Sequence, residues 1–538
     1  MTQTEFASHQ DHPIWWQRGI IYQIYPRSFQ DSDGDGIGDL AGIMARLDYL
    51  VALGIDAVWI SPIFPSPMAD FGYDVANYCD VDPRFGTLET FDRLVAEVHR
   101  RGLKIILDYV PNHTSDQHPW FRESRASRAS AKRDWYIWRS SKPDAAVPCN
   151  WLAEFGGSAW QWDDATQQYY YHAFLPQQPD LNWRNPAVRD AMLDVLRFWL
   201  DRGVDGFRVD AIHHLFENIE LRDNPINPDW REGMSPARRL LRTHTIEQPE
   251  VHDAIAAMRR VADSYGPDRL LIGEAYLPIE RLVAYYGSAL SGFHLPFNFH
   301  LIRTPWNPTA IFKLVESYEA QLPKGGWPNW VLGNHDRPRL ASRIGKAQVR
   351  VAAMMLLTLR GTPTMYQGDE IGMADVPISP ERVRDPWEIN VPGLGLGRDP
   401  ERTPMQWDAS RNAGFSSVEP WLPVAADYVE TNVARQAADR RSVLSLYRYL
   451  IALRRREPAL SIGNYESVAA TEHVLSYERR LDERRIRIIL NMSGIAQQLS
   501  PQVGAKGRLL LSTLRDREGE DVDIRSLDPD EGVIVKLR

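Results

Sequence analysis

Residues 204–210 read VDGFRVD, a short run of β-branched and aromatic residues that closes on a charged pair, Arg208 and Asp210. Such a run predicts a strand buried on both faces, and two residues of spacing put Arg208 and Asp210 on one side of it. Seven further runs of the same character lie at 20–25, 57–61, 104–108, 270–274, 293–299, 330–333 and 363–366, each separated from the next by a longer helical pattern. Eight strands alternating with helices make parallel βαβ units. The expected fold is α/β, a closed (β/α)8 TIM barrel. Functional residues in that fold stand at the C-terminal ends of the strands, so polar residues just after each run become candidates.

The spacing between runs is uneven. Residues 109–181 are rich in Trp, Tyr, Pro and Gly without helical period, which predicts a subdomain inserted after strand 3. Barrel segments are then expected at 1–108 and 182–374. A Pro- and Gly-rich insertion follows strand 8 at 375–430, a last barrel helix at 431–460 (pattern 435–456), and a small antiparallel β domain at 461–538.

Composition excludes several classes. The 538 residues are 43% apolar and 25% charged, with 35 Gly and 37 Pro, which is neither disordered, collagenous nor coiled-coil. The longest uncharged apolar run, 351–359, is about half of the roughly 20 residues a membrane span needs. Lys and Arg number 62 against 71 Asp and Glu, with no basic stripe, so neither nucleic acid nor a membrane is an expected partner. The N-terminal MTQTEFASHQDHP lacks the basic start and apolar stretch of an export signal, and two cysteines, Cys79 and Cys149, suit free thiols in a cytoplasmic protein. The 18 Trp and 21 Tyr suit either core packing or stacking on sugar rings.

Four strand ends deliver carboxylates to one barrel mouth: Asp108, Asp210, Glu274 and Asp336. The Arg208 guanidinium beside Asp210 favours its ionised form and suits it as a nucleophile. Glu274 follows the apolar LLIG, where desolvation favours a proton and a general-acid role. His335 precedes Asp336, and His113 follows Asp108 by five residues. The chain has no GxSxG, P-loop, HExxH or CxxC, whereas paired carboxylates with aromatic walls suit glycoside cleavage.

DYVPNHT, GFRVDAI, IGEAY and GNHD, in that order, resemble the four conserved regions of glycoside hydrolase family 13, the α-amylase family. QPDLN at 178–182, GIIYQIYPRSF at 19–29 and RTPMQWD at 402–408 are similar to signatures of its oligo-1,6-glucosidase and α-glucosidase branch. The resemblance implies a retaining, exo-acting α-glucosidase needing no organic cofactor, acting on small oligosaccharides or glucosides as a monomer or homodimer. It implies Asp210 as nucleophile, Glu274 as acid/base and Asp336 as transition-state stabiliser. Asp108, His113, Arg208 and His335 would bind the first glucose, Tyr73 would stack on it, and Phe174 and Gln178 would line the same pocket. Asp70 and Arg402 resemble a charged pair closing the pocket's end. At Ala211 the branch's α-1,6 enzymes usually carry Val and its α-1,4 enzymes Thr or Ala, which implies maltose-type links. A sucrose or maltose isomerase or a glucosyltransferase of the same family would use the same three acids. A catalytically inactive scaffold, as in the heavy chains of amino-acid transporters, would have lost them.

Asp31, Asp33, Asp35 and Asp39 place carboxylates at positions one, three, five and nine of a loop, with the Ile37 carbonyl at seven and a glycine at six. The spacing resembles the start of an EF-hand loop, although Gly42 stands where the bidentate Glu belongs. A structural Ca2+, or Mg2+, is expected here.

Overall fold

The computed structural model describes residues 13–143 and 146–538; residues 1–12, on which the export-signal reading rests, lie outside them. Eight strands form the expected parallel barrel: β1 (Ile21–Ile24), β2 (Ala57–Ile60), β3 (Lys104–Tyr109), β4 (Gly206–Val209), β5 (Leu270–Glu274), β6 (Leu295–Phe297), β7 (Asn329–Val331) and β8 (Thr362–Tyr366). Their hydrogen-bonded order is β7-β8-β1-β2-β3-β4-β5-β6, and a parallel bridge between Asn298 and Trp330 closes the ring. Every residue of β1, β2, β4 and β5 is buried, the price of being covered on both faces. At Gly206 a Cβ would meet the Leu270 carbonyl at 2.5 Å, so only glycine lets β4 lie this close to β5.

Each strand is followed by a helix packed outside the ring. Helix Pro186–Asp201 starts on Pro at its first position, with the Asn185 side chain accepting from the Ala187 N–H at 2.9 Å. It buries Val188, Met192, Val195, Leu196 and Trp199, one face at helical spacing, and the Trp199 ring meets Phe91 of helix Leu88–Arg100 edge-on at 4.9 Å.

Between β3 and helix Pro186–Asp201 three short antiparallel strands, Trp138–Arg139, Trp160–Asp163 and Gln168–Tyr171, carry a Trp- and Tyr-rich core. This segment also holds a two-turn helix, Pro119–Ala126, that sequence periodicity did not predict. The expected single helix at 435–456 is two, Val433–Ala438 and Val443–Arg456. The break falls where Ser442 caps the second helix by accepting from the Ser445 N–H at 3.1 Å, so a local side-chain bond overrides the continuous apolar pattern.

The C-terminal sheet is wholly antiparallel: β9 (Asn464–Ala470), β10 (Val474–Leu481), β11 (Arg484–Asn491), β12 (Ala505–Ser512), β13 (Asp521–Ile524) and β14 (Gly532–Leu537), in the order β9-β10-β11-β14-β12-β13. It explains the longest apolar run. Helix Val349–Thr358 is buried at every position except Arg350 because it lies between the barrel and this sheet. No helix among the described residues is long and apolar enough to cross a membrane. Cys79 and Cys149 are free.

Arg479 fastens the sheet to the barrel, and Arg454 of helix Val443–Arg456 braces the same junction; both guanidiniums are fully buried. Arg479 of β10 donates to the carbonyls of Thr358, Leu460 and Gly463 at 2.6–2.7 Å, and Arg454 to those of Leu357, Leu460 and Gly361 at 2.6–3.1 Å. Burial and the nearby Arg454 pull Arg479 down to about 9, still charged at neutral pH. Arg479→Met removes this donor from the Thr358 and Gly463 carbonyls, while Leu460 keeps Arg454, and should lower the urea midpoint by the equivalent of about 2 kcal/mol. An unchanged midpoint would mean that the carbonyls find other partners.

Candidate active site

A cavity of about 110 Å³ opens at the C-terminal end of the barrel, lined by Asp210, Glu274 and Asp336 together with Asp70, Tyr73, His113, Phe174 and Ala211. Three strands meet on one side chain there. Arg208, fully buried on β4, donates from Nη1 to Asp108 Oδ1 and to Asp210 Oδ1, both at 2.7 Å, and its Nη2 stands 2.6 Å from Glu274 Oε2. The register supports this, since Asp108 of β3 lies directly opposite Arg208.

Immediately after Asp210 the chain turns through Ala211 in the left-handed region, φ 44° and ψ 33°. A non-glycine residue there is strained by roughly 1–2 kcal/mol. The turn aims the Ala211 N–H at Glu274 Oε2, 2.9 Å away, so the backbone after the strand holds the second carboxylate. Burial pushes the Asp210 carboxyl well above the usual carboxylate range; Arg208 pulls it back, and Glu274 and Asp108 push it up again. The strand pairing alone suggested that Arg208 keeps Asp210 ionised. Burial, reinforced by two more buried carboxyls, makes it take a proton more readily instead.

Asp336 has the opposite environment. Arg402 Nη2 is 2.7 Å and Arg398 Nη1 3.2 Å from its Oδ1, and His335 Nε2 lies 3.3 Å from Oδ2. Burial alone would raise it, but His335, Arg398 and Arg402 hold it far below the usual range. It stays charged at any working pH.

The pocket's end differs from expectation. Asp70 Oδ1 accepts from Arg398 Nη2 at 2.7 Å, not from Arg402, whose guanidinium is committed to Asp336 and to the His335 carbonyl at 2.7 Å. Arg398 also donates to Asp385 at 2.6 Å and so joins Asp70, Asp336 and Asp385. Gln178 Nε2 lies 3.2 Å from Asp70 Oδ2 and 3.0 Å from His113 Nε2. Burial pulls His113 down to about 3, so it is neutral, and Phe174 lies against it at 5.1 Å between ring centroids.

Five expected sugar contacts stand one layer behind the cavity wall: Asp108, Gln178, Arg208, His335 and Arg402. Asp108 is covered by Arg208, Trp59 and Tyr73, its Oδ2 accepting from Trp59 Nε1 at 3.0 Å, and burial raises it to about 6. His335 is clamped between Tyr25 and Tyr73, at 5.6 and 5.5 Å, and stays neutral. These groups orient the lining side chains.

Sequence reasoning missed Phe155 and Trp387, which meet edge-on at 5.3 Å across the mouth from the two insertions, and Arg398, four residues before the arginine it named. It also missed His213, His214, Tyr276, Arg238, Arg242 and Arg337 in the lining. Nothing in one sequence brings loop residues of such separation together.

The acidic loop is tightly bonded. Asp31 accepts from the Asp33, Gly34 and Gly36 N–H groups and from Ser416 Oγ at 2.6–3.1 Å, while Asp39 accepts from Gly42 and Ser32. Gly36 has φ 89°, and a Cβ there would meet the Glu419 carbonyl at 2.5 Å. One oxygen each of Asp31, Asp33 and Asp39 converges within 4.8 Å. Asp35 does not join them; its Oδ1 accepts instead from the Ile37 N–H at 2.7 Å. Three carboxylates so close, with no Lys or Arg paired to them among the described residues, form a donor set that fits a divalent cation.

Residues 23–463 match the α-amylase catalytic domain. The chain is 40% identical to Maltase 1 of Drosophila virilis over 98% of its own length and 88% of that protein's. Among solved structures, the α-glucosyl transfer enzyme XgtA superposes with a TM-score of 0.92 at 39% identity, covering 98% of this chain and 100% of that one. The trehalulose synthase MutB from Pseudomonas mesoacidophila MX-45 superposes at 0.90 and 35% identity, with the same coverage. A barrel that gathers three acids at its strand ends, matched over most of its length by these proteins, belongs to the α-amylase family of glycoside hydrolases.

Proposed function

We propose that the chain is a retaining, exo-acting α-glucosidase that removes glucose from the non-reducing end of maltose-type α-1,4-glucosides. The observation that carries this reading is the lining of one small cavity by Asp210, Glu274 and Asp336, closed at one end by the Asp70–Arg398 pair. Glu274 protonates the glycosidic oxygen, and Asp210, ionised once that proton has left the pair, attacks the anomeric carbon to form a β-glucosyl ester. Asp336, permanently charged, faces the cationic ring of the transition state. Tyr73, fixed by His335, offers the stacking surface. Water deprotonated by Glu274 then releases α-glucose. An alcohol in place of water gives transglucosylation, in keeping with the α-glucosyl transfer enzyme XgtA among the structural neighbours. Ala211 at the cavity wall supports the α-1,4 preference. We assign the barrel to the described residues of 1–108 and to 182–374, the inserted domain to the described residues of 109–181 and the β domain to 461–538, in a cytoplasmic protein.

Asp210→Asn keeps the volume and removes the charge, so turnover of maltose should fall by at least about 10⁴-fold with an unchanged unfolding midpoint. Maltose hydrolysis surviving in that variant would refute the assignment. Initial rates should rank maltose above isomaltose, and the reverse order would overturn the linkage preference.

A divalent cation, Ca2+ or Mg2+, would be held by Asp31, Asp33 and Asp39 and would tie the loop after β1 to Ser416 of the insertion after β8. Chelation should lower the melting temperature, and added Ca2+ should restore it. Asp33→Ala should melt lower and no longer respond to either treatment; a chelator-insensitive wild type would exclude the site.

A further inference from the structure

Beyond the catalytic acids the pocket changes character. Arg238 and Arg337 line it beside Glu274 and Asp336. Arg238 and Arg242 also wall a second cavity of about 530 Å³, to which Arg281 and Arg303 contribute. Tyr276 belongs to both cavities, with the Arg337 guanidinium 5.2 Å from its ring centroid. The two spaces therefore share a wall on the side where a leaving group or acceptor would lie.

Two of these five cations have acidic partners: Arg242 pairs with Glu154, and Arg281 with Glu247 at 2.5 Å. Arg238, Arg303 and Arg337 form no ion pair among the described residues. Arg337 is steadied by the Tyr276 ring and by the fields of Asp336 and Glu274. Arg238 has no such neighbour, and Arg303 has only Tyr276. Burial and then Arg337 pull Arg238 down, and partial desolvation followed by Arg238 and Arg337 does the same to the exposed Arg303. Like charges gathered without a counter-charge repel, and a bound anion relieves the repulsion. The glucose end of the same pocket is different, because Arg398 and Arg402 there are matched by Asp70, Asp336 and Asp385. A neutral sugar needs hydrogen bonds on both sides of the scissile bond; it gives no reason for a surplus of guanidiniums on one side.

We propose that Arg238, Arg303 and Arg337 bind an anionic group, a carboxylate or a phosphate, on the acceptor or leaving group, so that the favoured glucosyl acceptors are small hydroxy acids or phosphorylated alcohols. Guanidiniums suit either anion through paired N–H donors. The inference rests on the α-glucosidase reading. In the transfer step the acceptor oxygen bonds to the anomeric carbon as its proton passes to Glu274, and the ester bond to Asp210 breaks with the electron pair returning to the carboxylate.

The test uses p-nitrophenyl α-glucoside as donor, with glycerate, glycerol 1-phosphate and glycerol as competing acceptors at equal concentration and chromatographic measurement of the glucosides. At least one of the two anions should be glucosylated about tenfold more often than glycerol; which one separates carboxylate from phosphate recognition. Added salt should shrink the preference, and so should Arg238→Gln and Arg303→Gln, each by about threefold or more. Arg303 is exposed, so its replacement spares the core and keeps the test decisive should the Arg238 variant misfold. Equal use of the three acceptors, transfer to none, or an anion preference that Arg303→Gln and a folded Arg238→Gln leave intact overturns the proposal. Nitrophenol release by the same samples reports separately on the glucosidase reading, and without it both fall.

Discussion

One guanidinium keeps three buried carboxylates together. Asp108, Asp210 and Glu274 come from adjacent strands, and without a counter-charge each would raise the others' pKa until the site was neutral. Arg208 meets all three with two nitrogens, at 2.6–2.7 Å. A lysine in its place would be a point charge on one carboxylate, unable to span neighbouring strands with a planar fork. The barrel makes this geometry possible: parallel register sets Asp108 opposite Arg208, and the missing Cβ at Gly206 lets β5 close in with Glu274.

The same pocket holds carboxyls of opposite character. Asp210, buried and crowded by its fellows, is pushed up, whereas Asp336, ringed by His335, Arg398 and Arg402, is pushed far down. One carboxyl that trades a proton, one that attacks carbon as a carboxylate and one that stays charged are what a double displacement with an oxocarbenium-like transition state requires. The division follows from topology. Asp210 answers to the strands, while Asp336 answers to the loop after β8, which supplies both arginines.

What the sequence disclosed followed the same division. The strands were legible because a residue buried on both faces has to be apolar and β-prone, and the acids were legible because they stand just past those runs. The depth of each polar group was not. Asp108 and His335 read as sugar contacts, yet Arg208 covers one and two tyrosine rings clamp the other. Arg398 and Arg402 are one helical turn apart, and only folding decides which reaches Asp70. Asp35 fits an EF-hand spacing but bonds its own loop, and Ser442 breaks a helix that periodicity alone would continue.

At the glucose end Asp210 and Glu274 are fixed by strand register through Arg208, and Asp70, Asp336 and Asp385 are balanced by Arg398 and Arg402, so its geometry can change little without breaking buried ion pairs. The opposite end is assembled from segments that no strand constrains: Glu154 and Phe155 from the insertion after β3, Arg238 and Arg242 from the connection after β4, and Trp387 from the insertion after β8. Loop residues can vary there at little cost to stability. Donor recognition is therefore tied to the fold itself, whereas the partner that receives the glucosyl unit is chosen by charges the loops supply.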